Sequence, residues 1–292
     1  MNPVMDLAPH TIRAIVDRAL EEDIGTGDLT TLAVIPAEAQ AEATLVMREA
    51  GIICGLPVLQ SVFHAVDPHL QITLPLREGS QVQRGDCVAM ISGSARSILT
   101  AERVALNLIQ RMSGIATLTS AYVAAIQGTK ARVLDTRKTT PGLRVLEKYA
   151  VRVGGGTNHR FALYDGIMLK DNHLAMLATH GTSLTEAIQR AKAAVGPMVR
   201  VEVEVESVAE AVIAAEAGAS MILLDNMPPA QMAEAVRLVA GRAEIEASGG
   251  ITLATIRAAA ESGVDYISVG ALTHSARALD ISLDMNVVVL AR

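Results

Sequence analysis

The second half of the sequence predicts an irregular or incomplete α/β barrel, with a doubly wound open sheet as the alternative. Three observations carry this. From about residue 131, short β-branched runs alternate with Ala-rich segments of helical periodicity. The runs are largely apolar, as in parallel strands covered on their outer face. The residues that end them recur at near-constant period: Glu204 to Asp225 is 21 residues, Asp225 to Ser248 is 23, and Ser248 to Gly270 is 22.

Six strands are expected, at Ala131–Asp135, Gly166–Lys170, Val199–Val205, Ser220–Asp225, Ala243–Ser248 and Val264–Gly270, with Val151–Gly154 a candidate seventh. Helices are expected over Ser207–Ala217, Pro229–Ala240 and Thr252–Glu261. Ser207 and Thr252 stand where N-caps belong, and Gly218, Gly241 and Gly263 where helices stop. The first half reads differently. Thr11–Glu22 has amphipathic helical spacing, and EDIGTGDLTT then turns, with Asp28 or Thr30 as a cap. Residues 42–100 form short strands broken at Ala50-Gly51, Asp67-Pro68, Glu78-Gly79 and Arg84-Gly85-Asp86. The turn pattern of Arg77–Asp86 resembles that of biotinyl- and lipoyl-carrier folds. No lysine precedes Lys130, however, so no residue there could carry a prosthetic group. Ser97–Gln127 reads as one or two long helices, and ISLDMNVVVL as a β-like tail that returns to the first domain.

Half of the 292 residues are hydrophobic, ample for one large core or two smaller ones. A net charge of −6 with six aromatic residues and no Trp argues against a nucleic-acid partner. The two cysteines, Cys54 and Cys87, are too few for a disulfide framework and fit a reducing cytoplasm. No basic segment followed by an apolar run marks a signal peptide, and the longest uncharged stretches fall short of the ~20 apolar residues of a membrane span.

Against this acidic background, Arg137 to His173 carries seven Lys/Arg and three acids, a local net of +4. Cations gathered in a Gly-rich segment suggest a pocket for a small polyanion. A solvated helix face accounts for Arg144, Lys148 and Arg152, but not for Arg137-Lys138 beside Thr-Thr-Pro-Gly or for Lys170 at a strand end. Arg137, Lys138, Lys170, Glu204, Asp225, Ser248 and Gly270 all fall at or just past C-terminal strand ends, the rim where α/β barrels build active sites. Ser248-Gly249-Gly250 lies between a strand and a helix, where backbone N–H groups can approach a phosphate, and Ser-Val-Gly-Ala (268–271) follows in the neighbouring strand. Glu204 and Asp225 suit ribose hydroxyls, a divalent cation or a developing oxocarbenium charge. Glu202, Glu204 and Glu206 share one face by period two, and spacing alone does not choose between Glu204 and Glu206. Arg137, His159, Arg160 and Lys170 offer donors for carboxylates. His173 reads as a local turn residue. No zinc spacing, P-loop or Gly-x-Ser-x-Gly is present.

DTRKTTPGLR, GGGTNHR, MLKDNH, VEVEVES, LLDN, EASGGI and SVGALTHS, with EDIGTGDLTT and AERVALNLIQRMSGIAT upstream, together resemble the quinolinate phosphoribosyltransferase family over roughly Glu22 to Asp284. The resemblance implies an N-terminal α/β sandwich domain (1–112, joined by the tail 273–292) and an incomplete barrel of six or seven strands (113–272). It implies transfer from phosphoribosyl pyrophosphate to quinolinate with Mg²⁺, giving nicotinate mononucleotide, pyrophosphate and CO₂. It further implies a homodimer or larger assembly in which Arg103 comes from the partner chain. Arg137, His159, Arg160 and Lys170 would surround the pyridine dicarboxylate. Thr136 and Lys138 would lie near the pyrophosphate, and Glu204 and Asp225 near the ribose and metal. Ser248, Gly249, Gly250, Gly270 and Ala271 would take the 5′-phosphate. The catalytic set would be Lys138, Lys170, Glu204 and Asp225, the family pattern favouring Glu204 over Glu206. Two rival readings are a same-fold transferase acting on another acid, such as a homologue associated with molybdenum transport, and a non-catalytic sugar-phosphate-binding barrel.

Overall fold

The structure is a computed structural model that describes residues 7–287. The chain divides into two compact units, one formed by 1–120, 139–155 and 275–292, the other by 121–138 and 156–274.

The first unit is built on an antiparallel sheet. Its strands are β1 (Gln40–Met47), β3 (Gln71–Thr73), β5 (Cys87–Ser94) and β12 (Ile281–Val287), ordered β12-β1-β5-β3, while β2 (Gly51–Ile52) pairs with β4 (Gln81–Val82). Alternate residues of β1 (Ala41, Ala43, Leu45, Met47) are buried, the period-two pattern of a sheet with one packed face. Met47 pairs with Ile281 and Ala41 with Val287, so the returning tail completes the sheet as its edge strand. Residues 288–292 of the expected tail lie outside the described residues. Helix Pro9–Ile24 buries Ile12, Ile15, Val16 and Leu20, and is followed by a short helix whose cap is Asp28, accepting the Thr31 N–H at 3.0 Å. The expected long helical segment is one helix, Ala95–Ala125. Among the described residues no helix is long and apolar enough to cross a membrane.

The second unit is a six-stranded parallel sheet of order β6-β11-β10-β9-β8-β7. Its strands are β6 (Arg132–Leu134), β7 (Ile167–Leu169), β8 (Val201–Val205), β9 (Met221–Asp225), β10 (Glu244–Ser248) and β11 (Tyr266–Ser268). Val203, Ile222, Leu224, Ile245, Ala247 and Ile267 are buried, and helices Val208–Glu216 and Pro229–Val239 connect successive strands. Ser207 caps the first of these through Glu210 N–H.

Three expectations are corrected. Val151–Gly154 is not a seventh strand: it ends the helix Arg144–Val153, whose residues 146–151 are all buried, and that packing outweighs the β-branched valines. The basic residues of that helix do not form a solvated face. Lys148 is buried, Arg144 and Arg152 are half-buried, and the helix belongs to the first unit. The last barrel helix starts at Ile256 rather than at Thr252, because Thr252 and Thr255 close a turn on each other, Thr252 N–H donating to Thr255 Oγ1 at 2.9 Å.

Gly114, in the long helix, has no room for a side chain. A Cβ there would stand 1.9 Å from the Arg277 carbonyl oxygen, a backbone atom that cannot swing away. Gly114→Ala is expected to destabilise the first unit by about 1–3 kcal/mol as overpacking, read as a lowered urea midpoint with an unchanged slope.

Candidate active site

Because the strands are parallel, their C-terminal ends open on one rim, and a pocket of about 810 Å³ lies there. Register sets its wall: Ser248 stands beside Asp225, and Glu204 beside Leu223. The pocket gathers Thr136, Arg137 and Lys138 after β6, His159 and Arg160 before β7, and Lys170 after it, with Glu204 and Asp225 from β8 and β9. Ser248, Gly249, Gly250, Gly270 and Ala271 complete it. Arg103 lies in the first unit, on the exposed side of the long helix, near Glu102 at 3.9 Å.

One end of the pocket is cationic. Asp135, fully buried, accepts the Asn158 amide at 2.6 Å and the His159 N–H at 2.8 Å, fixing the segment that carries Arg160. Arg160 Nη1 donates to the Gly166 carbonyl at 2.8 Å. Burial and the neighbouring Arg137 hold the Arg160 guanidinium below its ordinary value, the signature of cations crowded together for an anion. Lys170 Nζ is 3.7 Å from Glu204 Oε2, and the Lys170 N–H donates to His173 Nδ1, so His173 shapes the turn. Burial raises Glu204 above the usual carboxylate range, with Lys170 opposing and Asp225 reinforcing the shift. Glu206 is exposed and turned to the following helix, its N–H donating to Glu210, so Glu204 is the acid that faces the pocket.

The other end is backbone. Gly249 has φ +92° and lies against Asn226, whose Oδ1 a Cβ would meet at 2.2 Å; Asn226, itself at positive φ, donates its N–H to the Ser248 carbonyl. A Gly270 Cβ would touch Lys138 Cδ at 3.1 Å. With helix Ile256–Glu261 starting later than expected, an anion here would meet the N–H groups of residues 249–251 rather than a helix terminus.

Beneath the cationic end lies a group the sequence did not disclose as a unit. His159 Nε2 is 2.9 Å from Glu202 Oε2 and 3.4 Å from Glu246 Oε2, both acids buried. Among the described residues these three are spaced closely enough to share a metal ion. The Arg160 N–H, however, donates to His159 Nδ1 at 2.7 Å. The single proton of a neutral ring is therefore on Nε2, on the side of Glu202, and that nitrogen cannot then bind a metal. Burial opposes a charged ring, but the two neighbouring carboxylates, Glu202 and Glu246, outweigh it and push His159 up to about 10. Since Nδ1 is occupied, we place the excess proton of this cluster on the carboxyls. Burial raises Glu202 to about 7, Glu246 reinforcing the shift and His159 opposing it. Asn226, Glu202 and Glu246 were not assigned roles from sequence. The period-two position of Glu246, two residues before Ser248, was the available signal for an inward side chain.

The model of the quinolinate phosphoribosyl transferase C-terminal domain matches residues 115–284, and that of its N-terminal domain residues 28–113. The chain belongs to the quinolinate phosphoribosyltransferase family. It is 45% identical over 274 residues to the probable nicotinate-nucleotide pyrophosphorylase [carboxylating] of Bacillus subtilis, covering 94% of this chain and 93% of that one. To the nicotinate-nucleotide pyrophosphorylase [carboxylating] of Mycobacterium leprae it is 46% identical, covering 96% and 98%. The crystal structure of NadC from Streptococcus pyogenes superposes with a TM-score of 0.92 at 47% identity, covering 97% of this chain and 99% of that one. The chain is thus an enzyme of the phosphoribosyltransferase class, on the fold of its relatives.

Glu202 binds its proton more tightly in the fold, about 7 against 4.5. The stability this confers is present below pH 4.5 and is lost as pH rises through about 7. The thermal midpoint of the native chain should therefore decline between pH 5 and 8, and Glu202→Gln should flatten that decline. Parallel slopes for the two proteins would refute the assignment.

Proposed function

We propose that this chain transfers the phosphoribosyl group of phosphoribosyl pyrophosphate to quinolinate and releases pyrophosphate, CO₂ and nicotinate mononucleotide, a step of NAD biosynthesis. The observation that carries this is one pocket that brings the cations Arg137, Arg160 and Lys170 together with the Gly249–Gly250 and Gly270–Ala271 turns. Family membership sets the reaction class. Arg137, Arg160 and Lys170 receive the two carboxylates, forked guanidinium donors and a point charge being suited to planar anions. The Gly249–Gly250 and Gly270–Ala271 turns receive the 5′-phosphate. The pyridine nitrogen attacks C1 of the ribose as pyrophosphate departs, and Glu204, half-buried beside Lys170, offsets the positive charge that develops on the sugar.

Transferases of this class work with a divalent metal, and we assign Mg²⁺. It keeps most of its water and binds through one or two carboxylates plus phosphate oxygens. Asp225 at the rim offers such an oxygen, with Glu204 adjacent but engaged by Lys170. Bound there, the ion would neutralise the diphosphate; Lys138 shares that task from the opposite wall. Once the ring nitrogen is quaternary it withdraws the electrons released from the 2-carboxylate, so decarboxylation needs no Schiff-base lysine. The retained 3-carboxylate is expected to take the tightest ion pairs, since pairing at the 2-carboxylate would stabilise what must be lost. The exposed Arg103 supports a homo-oligomer in which it completes a partner's pocket, and a cytoplasmic setting fits the cysteine content.

Quinolinate with phosphoribosyl pyrophosphate should yield stoichiometric CO₂ and pyrophosphate, whereas nicotinate should be disfavoured by ~10³-fold or more. It leaves part of the Arg137/Arg160/Lys170 cluster without its anion. Comparable turnover of nicotinate would refute the reading. Separate titrations of the two substrates divide the pocket further. Lys170→Met should weaken quinolinate chiefly, and Gly249→Val, which collides with Asn226, phosphoribosyl pyrophosphate chiefly. Equal losses in both folded variants would contradict the two subsites.

A further inference from the structure

The interior of a parallel α/β barrel is ordinarily filled by branched apolar side chains, and a carboxylate withdrawn from water is costly unless fully hydrogen-bonded. Glu202 of β8 and Glu246 of β10 nevertheless lie inside, 5% and 0% exposed. His159 Nε2 stands 2.9 Å from Glu202 Oε2; Glu202 Oε1 and both Glu246 oxygens receive no hydrogen bond. A carboxylate oxygen of each lies within 4.8 Å of one of the other. A single proton held between them supplies the missing donor and removes one of two buried charges. The surrounding groups are Asp135 and Arg137 following β6, Arg160 beside the imidazole, Lys170 and Glu204 at the rim, and Tyr266 of β11. None of these hydrogen-bonds the idle oxygens.

The placement gives this proton a use. Glu246 lines the wall of the main pocket, at the end that holds Arg137, Arg160 and Lys170. Glu202 faces a second cavity of about 400 Å³, lined also by Arg200, Met198 and Tyr266. The acid pair therefore connects the pyridine end of the pocket to a separate cavity. The reaction proposed above, on which this inference rests, consumes one proton at C2 in every turnover.

We propose that Glu246 delivers the proton it shares with Glu202 to C2 of the pyridine ring as CO₂ leaves. The bond from C2 to the carboxylate breaks, and its electron pair stays on C2 beside the quaternary nitrogen. That pair takes the proton from Glu246, directly or through one water. The two carboxyls are left one proton short, and solvent entering the second cavity restores it through Glu202. The rim, covered by substrate and diphosphate during the reaction, is not needed for that resupply.

Rapid-quench experiments on the intact enzyme separate the steps, because pyrophosphate reports phosphoribosyl transfer and nicotinate mononucleotide reports protonated product. In Glu246→Gln, of the same shape but without a transferable proton, pyrophosphate should still form in the first turnover. Nicotinate mononucleotide should form about 10²-fold more slowly, as for loss of a general acid, with quinolinate mononucleotide accumulating. In Glu202→Gln the first turnover should be less affected than later ones. Loss of both products in parallel in folded Glu246→Gln, or no loss of either, would overturn the proposal. If Glu246→Gln does not fold, equal slowing of first and later turnovers in Glu202→Gln would do so. Failure of the native enzyme to release pyrophosphate from quinolinate would instead defeat the function assigned above, and this inference with it.

Discussion

The buried carboxylate of Asp135 is the contact on which the pocket depends. The chain leaves the second unit after Lys138 and returns at Gly156, and the two ends of that excursion must be held together for Arg137 and Arg160 to act on one anion. A parallel bridge between Leu134 and Thr157 closes its base. Asp135 then accepts the Asn158 amide and the His159 N–H. A carboxylate shielded from water and given charge-strengthened hydrogen bonds is a firm clamp. It also sets an anion under a segment that carries three cationic or potentially cationic side chains. Without such a clamp, like charges at Arg137 and Arg160 would separate when no substrate is present.

The two ends of the pocket solve opposite problems with different materials. A planar dicarboxylate needs charge at fixed angles, which guanidinium and ammonium groups supply. A phosphate on a sugar needs several weak donors at close range, which only backbone without a Cβ can bring. Gly249 shows the constraint, since its positive φ and its contact with Asn226 leave no space for even a methyl group. In the proposed reaction, Glu204 and Asp225 would face the sugar as its positive charge develops. Their position on adjacent strands follows from the register that pairs Glu204 with Leu223 and Ser248 with Asp225.

Much of this was legible in the sequence because the fold and the site share one periodicity. Strand ends spaced by 21 to 23 residues place Glu204, Asp225, Ser248 and Gly270 on one rim. Local propensity misled where tertiary packing decided. Val151–Gly154 has β-branched character, but it ends a helix whose residues 146–151 are all buried. Lys148 reads as a surface residue and is buried. Thr252 reads as a cap but spends its hydrogen bonds on Thr255. Glu202 and Glu246 were obscured for a different reason. An acid at period two along a strand is usually solvated, and only the placement of His159 beside both β8 and β10 gives these two a shared partner. That juxtaposition comes from three separate segments and has no local signal.

The same three residues link stability to chemistry. Burying two carboxylates around one imidazole costs the fold free energy that apolar side chains would not, and the surrounding sheet must supply it. What the arrangement provides is a floor whose charge depends on a single proton, directly below a cluster of fixed cations. A dianionic ligand binding above that floor favours retention of the proton, because one negative charge fewer then lies beneath it. Loss of neutral CO₂ leaves the electron pair and its negative charge on C2, so the charge passes from the carboxylate to the carbon that needs the proton. Binding and product formation therefore act on the same acid pair in successive steps, the first holding the proton and the second drawing it out. A barrel filled only with leucine and valine would hold the cations equally well, yet would have no group able to answer both steps.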